Sequence, residues 1–152
     1  MQDQYAIMTR GFRNILDNDA VTGYQINVRM PYYRGTFLSL VHYLDLVVDG
    51  HQIRHDDLRI IVAGRTFTIA EMEEADDVRW EFGAAATLRV NHAGGLISGG
   101  HSVQIGIVIR KSYLPAEDPE HLYDFFGLWK DGKYSTYIEP PTVITKRMTL
   151  VQ

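Results

Sequence analysis

The chain has 152 residues, 45% of them hydrophobic and 22% charged, with a formal net charge of -4 and no cysteine. That length suits one domain with a real core, and that composition argues against disorder. Missing cysteine excludes disulfides, thiolate metal sites and cysteine nucleophiles, and the 15 basic residues lie scattered where a phosphate-binding face would gather them.

The N-terminal MQDQYAIMTRGF carries neither a basic leader nor an apolar run of signal length, and nothing approaches the ~20 apolar residues of a membrane span. A soluble cytoplasmic protein is expected, without nucleic-acid or membrane partners. From Gly11 the chain runs through a polar turn into Tyr24–Met30, where Tyr24, Ile26, Val28 and Met30 alternate with Gln25, Asn27 and Arg29. Period-2 alternation of this kind predicts a half-buried strand, ended by Pro31. Leu44–Asp49 is a further strand leading into the hairpin dipeptide Asp49-Gly50. Leu58–Val62 and Arg65–Thr68 flank a tight turn at Ala63-Gly64, although alanine is poorly suited to a positive φ.

Thr68 and Glu71 have capping-box spacing, which predicts one short helix lasting to about Ala75. Ala86–Val90 is a short strand. Gly94, Gly95, Gly99 and Gly100 bracket a loop, and His101–Leu114 is the longest strand, with Val103, Ile105, Ile107 and Ile109 on one face. Ile144–Val151 closes the fold. The fold class is therefore all-β, one antiparallel β-sandwich of two packed sheets over residues 1–152. Between its last two strands lies a long excursion, Pro115–Pro141, acidic at first and then aromatic. Unstructured connections of that length are uncommon in compact domains and usually serve a function.

The candidate chemistry is sparse. His42, His51, His55, His92, His101 and His121 show no metal-ligand spacing and are expected to be solvent-facing loop residues. The acidic run Glu71, Glu73, Glu74, Asp76, Asp77 lacks the glycine of a calcium loop and is expected to be a solvated helix face. No serine sits in a nucleophile elbow, and the paired glycines lack a phosphate-loop ending. No catalytic residue, metal site or cofactor is assigned to the chain. Aromatics carry the remaining signal. Trp80 and Phe82 are expected in the core. Tyr32, Tyr33 and Arg34 share one turn and cannot all point inward, so they are expected to be exposed for substrate or subunit contact. Phe125, Phe126 and Trp129 are too apolar to lie bare in water, so their segment either folds back on its own sheet or docks on another subunit, and they are the candidates for docking a partner.

Three blocks, GFRNILDNDAVTGYQINVRMPYYRG, RTFTIAEMEEADDVRWEFG and SYLP at Ser112–Pro115, resemble the small (β) subunits of bacterial C-glycoside deglycosidases. The resemblance covers roughly Met1 to Pro115 plus the final strand. It implies a heteromeric carbon–carbon lyase whose larger, barrel-type α subunit carries a divalent metal, manganese, and the acid–base residues. The substrate it implies is a 3-oxo-C-glycoside with a flavonoid-type aglycone. The β-sandwich would be the accessory subunit. Two other readings stay open from the residues themselves: a stand-alone carbohydrate-binding module, and a homo-oligomeric scaffold.

Overall fold

A computed structural model describes residues 6–31, 35–109 and 142–151. Eleven strands lie among these residues: β1 Ile7–Asp17, β2 Ala20–Arg29, β3 Thr36–Phe37, β4 Val41–Val48, β5 His51–Gln52, β6 Leu58–Val62, β7 Arg65–Thr68, β8 Arg79–Trp80, β9 Ala85–Asn91, β10 Gly99–Ile109 and β11 Thr142–Leu150. They form a five-stranded sheet in the order β1-β2-β9-β6-β7, a four-stranded sheet β11-β10-β4-β5 and a two-stranded ribbon β3-β8. Every strand pairing in these sheets is antiparallel. The all-β sandwich expected from the alternation is the observed architecture.

One core joins the two large sheets. Ile26, Val28, Leu58, Ile60 and Leu88 from the first meet Leu44, Leu46, Val103, Ile105 and Ile107 from the second, all essentially without solvent contact. A fully buried Leu or Ile contributes about 1.5–3 kcal/mol by leaving water, so this seam is the main source of stability. Tyr24, Ile26, Val28 and Met30 all face inward, as their spacing requires.

Turn chemistry fixes the hairpins. Asp49 and Gly50 have φ of 52° and 81°, and Ala63 and Gly64 have 52° and 78°, so each pair is positive at both central positions, as a type I′ turn needs. Ala63 therefore occupies the conformation its side chain disfavours. A third hairpin, β1–β2, turns at Asn18 and Asp19, with φ of 50° and 67°.

Two expectations need correction. The segment before Tyr24 is not merely a polar turn, because Ile7–Asp17 is a full strand. Its pairing with β2 slips between Met8 and Arg13 and again between Ile15 and Leu16, with Gly11 at φ 84°. Each slip exchanges inward and outward positions, which erases the alternation that marks a strand. The predicted helix is a five-residue 3-10 turn, Ala70–Glu74. Its capping box is present: the Thr68 amide donates to Glu71 Oε1 at 2.8 Å, and the Glu71 amide donates to Thr68 Oγ1 at 3.1 Å. Met72, Ala75 and Val78 then turn into the core, and the next residues are claimed by the β3–β8 ribbon, so no longer helix can grow. The acidic run around this turn is solvated as expected. No helix among the described residues is long and apolar enough to cross a membrane.

Candidate functional site

At one end of the sandwich the chain crosses itself closely. Leaving β2, Met30 bridges Phe82, and its amide donates to the Ala84 carbonyl at 3.3 Å. The same carbonyl accepts the indole Nε1–H of buried Trp80 at 2.8 Å. The Ala84 amide donates to the Glu81 carbonyl at 3.0 Å, closing a turn in which Gly83 has φ 76°. On the return path, a Cβ on Gly35 would stand 2.8 Å from both the Glu81 Cα and the Trp80 carbonyl oxygen. Glycine is required there by contact between two backbones.

Arg79 locks this crossing. Its Nε donates to Glu81 Oε1 at 2.8 Å, its Nη2 donates to the Gly35 carbonyl at 3.3 Å, and its guanidinium lies 5.3 Å from the centre of the Phe37 ring. The product is a rigid platform from which Phe82 projects, 46% exposed. Trp80 is in the core as expected, whereas Phe82 is not. Alternation along Trp80-Glu81-Phe82 would send both rings inward, but β8 ends at Trp80 and the turn to Ala84 swings Phe82 outward.

Tyr32, Tyr33 and Arg34 lie outside the described residues, as do Phe125, Phe126 and Trp129. Their described neighbours locate where both segments join the fold. Pro31 and Gly35 flank the first at the platform. Ile109 precedes the second and pairs with Val41, a few residues beyond Gly35.

The β4–β5 hairpin supplies the other chemistry, two carboxylate–imidazole pairs of opposite design. Asp45 Oδ1 lies 2.6 Å from His55 Nε2; the carboxylate is buried and the imidazole is 42% exposed. This pair lines a shallow open depression of about 340 Å³ with Gln52, Arg54 and Asp56. Asp49 Oδ2 lies 2.6 Å from His101 Nδ1, and here the imidazole is buried while the carboxylate is partly exposed. His101 Nε2 reaches the Ile97 carbonyl at 2.7 Å, and the ring packs edge-on against Phe12. Nearby Tyr24 is buried, and that burial, followed by the charge of Asp49, pushes its phenol well above the usual range. His101 corrects the expectation of a solvent-facing loop residue: it shares the parity of Val103 and Ile105 and so points inward. No group of three or more His, Asp or Glu able to hold a metal occurs among the described residues.

A family model described as C-glycoside deglycosidase beta subunit matches residues 2–113. The C-glycoside deglycosidase beta subunit of Eubacterium cellulosolvens is 37% identical over 114 residues, 74% of this chain and 78% of the relative. The chain belongs to the C-glycoside deglycosidase beta subunit family. A second relative, the 3'-dehydrocarminate deglycosidase beta subunit of a Microbacterium species, is 33% identical over 96 residues, 62% of this chain and 70% of that one.

Within this beta subunit, the matched stretch contains the whole platform, from Met30 through Gly35 to Ala84, and both imidazole pairs. Sequence reasoning missed Phe82 and His101, while its six contact candidates lie outside the described residues. For His101 a signal existed, since extending the period-2 pattern of β10 one step toward its start puts the imidazole in the core. For Phe82 none did, because its outward swing is set by the Ala84 carbonyl and by Gly35, both distant or silent in a pattern of side chains.

Proposed function

We propose that this chain is the small, non-catalytic subunit of a heteromeric carbon–carbon lyase acting on C-glycosides. Its companion is a larger barrel-type α subunit bearing a divalent metal, manganese, and the acid–base residues. The substrate is a sugar already oxidised to a ketone at C3 and joined through carbon to an aromatic, flavonoid-type aglycone. A C3 ketone acidifies the hydrogen at C2, so a base can remove it. Elimination then breaks the C1–aglycone bond, with a proton delivered to the departing ring. A metal at the C3 oxygen would stabilise the charge that develops during proton removal.

The observation that carries this reading is the family match over residues 2–113, which includes Met30, Gly35 and the Arg79–Ala84 turn of the platform. Phe82, together with Tyr32, Tyr33 and Arg34, is the part of this chain proposed to meet the companion near the reacting centre. Phe125, Phe126 and Trp129 are proposed to dock on the same companion. Co-expression with the α subunit tests the reading. Turnover of a 3-oxo-C-glycoside by the pair, and by neither chain alone, is the expected result. A lone chain that binds sugar at millimolar or tighter affinity, with no companion recruited, would instead identify a carbohydrate-binding module.

A further inference from the structure

The outer face of the five-stranded sheet has an unusual charge pattern. Register places Arg13 of β1 opposite Gln25 of β2, Gln25 opposite Arg89 of β9, and Arg89 opposite Arg59 of β6. Residues directly opposite in an antiparallel ladder share a face, so three arginines stand in one row across the sheet. Arg29, outward on β2, adds a fourth. Arg13, Arg29 and Arg89 are exposed, and none makes an ion pair with a carboxylate among the described residues. Among the described residues Arg59 donates to the backbone carbonyls of Asp56 and Leu58, each at 2.9 Å, and its charge reaches Glu71 beyond the β7 edge.

Like charges directly opposite on a sheet destabilise it. The chain nonetheless keeps this row while carrying 19 acids against 15 bases. The outward positions of the paired strands include no Asp, Glu or Lys, and Ile15 and Ile61 lie partly buried among the arginines. Arginine with apolar residues, and depletion of Lys, Glu and Asp, is the composition of an interface core. Five strands about 4.8 Å apart also span a face of roughly 20 by 20 Å, about half of the ~800 Å² each partner brings to a standard interface, on which Gln25 of the row is buried and donates to the Gly11 carbonyl at 3.2 Å.

We infer that this arginine-lined face docks an acidic surface of the companion α subunit, with Arg13 and Arg89 forking onto its carboxylates. The inference rests on the reading of the chain as a deglycosidase β subunit and names a second contact region for it, apart from the Phe82 platform. Guanidinium–carboxylate forks give bidentate, orientation-fixing contacts. An electrostatic face of this kind speeds encounter and makes assembly salt-sensitive.

The test is assembly of the full-length chain with the α subunit, followed by size exclusion and titration at low and high salt. Arg13→Glu/Arg89→Glu is expected to melt no lower than the wild type, since both side chains are exposed and the acid at position 89 would face Arg59, and to bind the α subunit about 100-fold more weakly. Thr145→Glu, an exposed control on β11 of the other sheet, is expected to bind normally. If the wild type fails to bind the α subunit at all, the subunit reading itself falls. If the wild type binds and the double variant binds equally well at low salt, this face is not the contact and the inference is overturned. Unchanged α-subunit binding with loss of retention on duplex DNA would also overturn it, assigning the row to nucleic acid.

Discussion

His101 and Asp49, 52 positions apart in the chain, meet at 2.6 Å between ring Nδ1 and carboxylate Oδ2. The other ring nitrogen faces the Ile97 carbonyl at 2.7 Å. With an acceptor at each nitrogen, only the doubly protonated imidazolium can donate to both. Burial alone would lower the ring's pKa, but the bonds to Asp49 and Ile97 and the charge of Asp49 outweigh it, and the pKa is raised even with the opposing charge of Arg147 nearby. Asp49 moves the other way. Burial favours its neutral form, yet the bonds from His101 and the Ser102 amide, with the charges of His101 and Arg147, leave its pKa lowered. The pair ties the β4–β5 turn to the start of β10 and to the loop before it.

The first prediction is a pH profile. A histidine with a raised pKa contributes stability that is fully present below its unfolded value of 6.5 and is lost as pH rises through the folded value. An aspartate with a lowered pKa contributes stability present above its unfolded value of 3.8 and lost as pH falls through the folded one. The contribution of the pair is therefore greatest between those two unfolded values, and Tm should decline on the alkaline side. Asp49→Asn keeps a residue that tolerates φ 52° but removes the charge. It is expected to cost about 1 kcal/mol, since water reaches the half-exposed carboxylate, and to flatten the alkaline decline. Thermal melts of both proteins across mildly acidic to alkaline pH measure this. Curves that stay parallel would remove the ion pair as the cause.

The second prediction concerns strain in a turn. Ala63 sits at φ 52° in an exposed two-residue hairpin, a conformation costing a β-carbon about 1–2 kcal/mol. Asn-Gly is the preferred dipeptide for that geometry. Ala63→Asn is expected to raise stability by about 0.5–1 kcal/mol without altering assembly, as read by chemical denaturation. A neutral or destabilising result would show that the turn relaxes at no cost.

Turn dipeptides and alternation made most of the sandwich legible. Asp49-Gly50 and Ala63-Gly64 announced their hairpins, and Val103, Ile105 and Ile107 announced the core face of β10, because each signal is local. β1 was hidden because its two register slips cancel the periodicity that would reveal it. The platform around Phe82 was not legible in the sequence. Its bracing comes from the Arg79 guanidinium, the Gly35–Glu81 contact and the Met30 amide on the Ala84 carbonyl, which join segments more than forty residues apart, with the Trp80 indole closing the local turn. The arginine row was invisible for the same reason: Arg13, Arg59 and Arg89 become neighbours only once the strand order is known.

Gly35 gives the third prediction. A methyl group there would press on the Glu81 Cα and the Trp80 carbonyl, both backbone atoms that cannot turn aside. Gly35→Ala is expected to cost about 1–3 kcal/mol and to shift the platform relative to the sheets. Denaturation midpoints should fall, and binding to the α subunit should weaken even at temperatures where the variant stays folded. Full binding by a destabilised but folded variant would show that the geometry of the platform does not matter for assembly.

Trp80 and Phe82, two residues apart, are expected to fail in opposite ways. Trp80 is 1% exposed and its indole N–H is bonded to the Ala84 carbonyl, so Trp80→Phe loses ring volume and a hydrogen bond together. About 2–4 kcal/mol of stability should go, visible as a lower Tm. Phe82 is 46% exposed on a backbone fixed by neighbouring bonds, so Phe82→Ala should change stability by no more than about 0.5 kcal/mol. If Phe82 meets the companion near the reacting centre, that same variant should lower turnover of a 3-oxo-C-glycoside by the reconstituted complex about tenfold or more, as truncation of an aromatic anchor typically does. Steady-state kinetics on complexes of matched composition separate the two roles. A Phe82→Ala complex with unchanged assembly and unchanged kcat/KM would remove the platform from the function proposed for it, leaving its rigidity as a matter of folding alone.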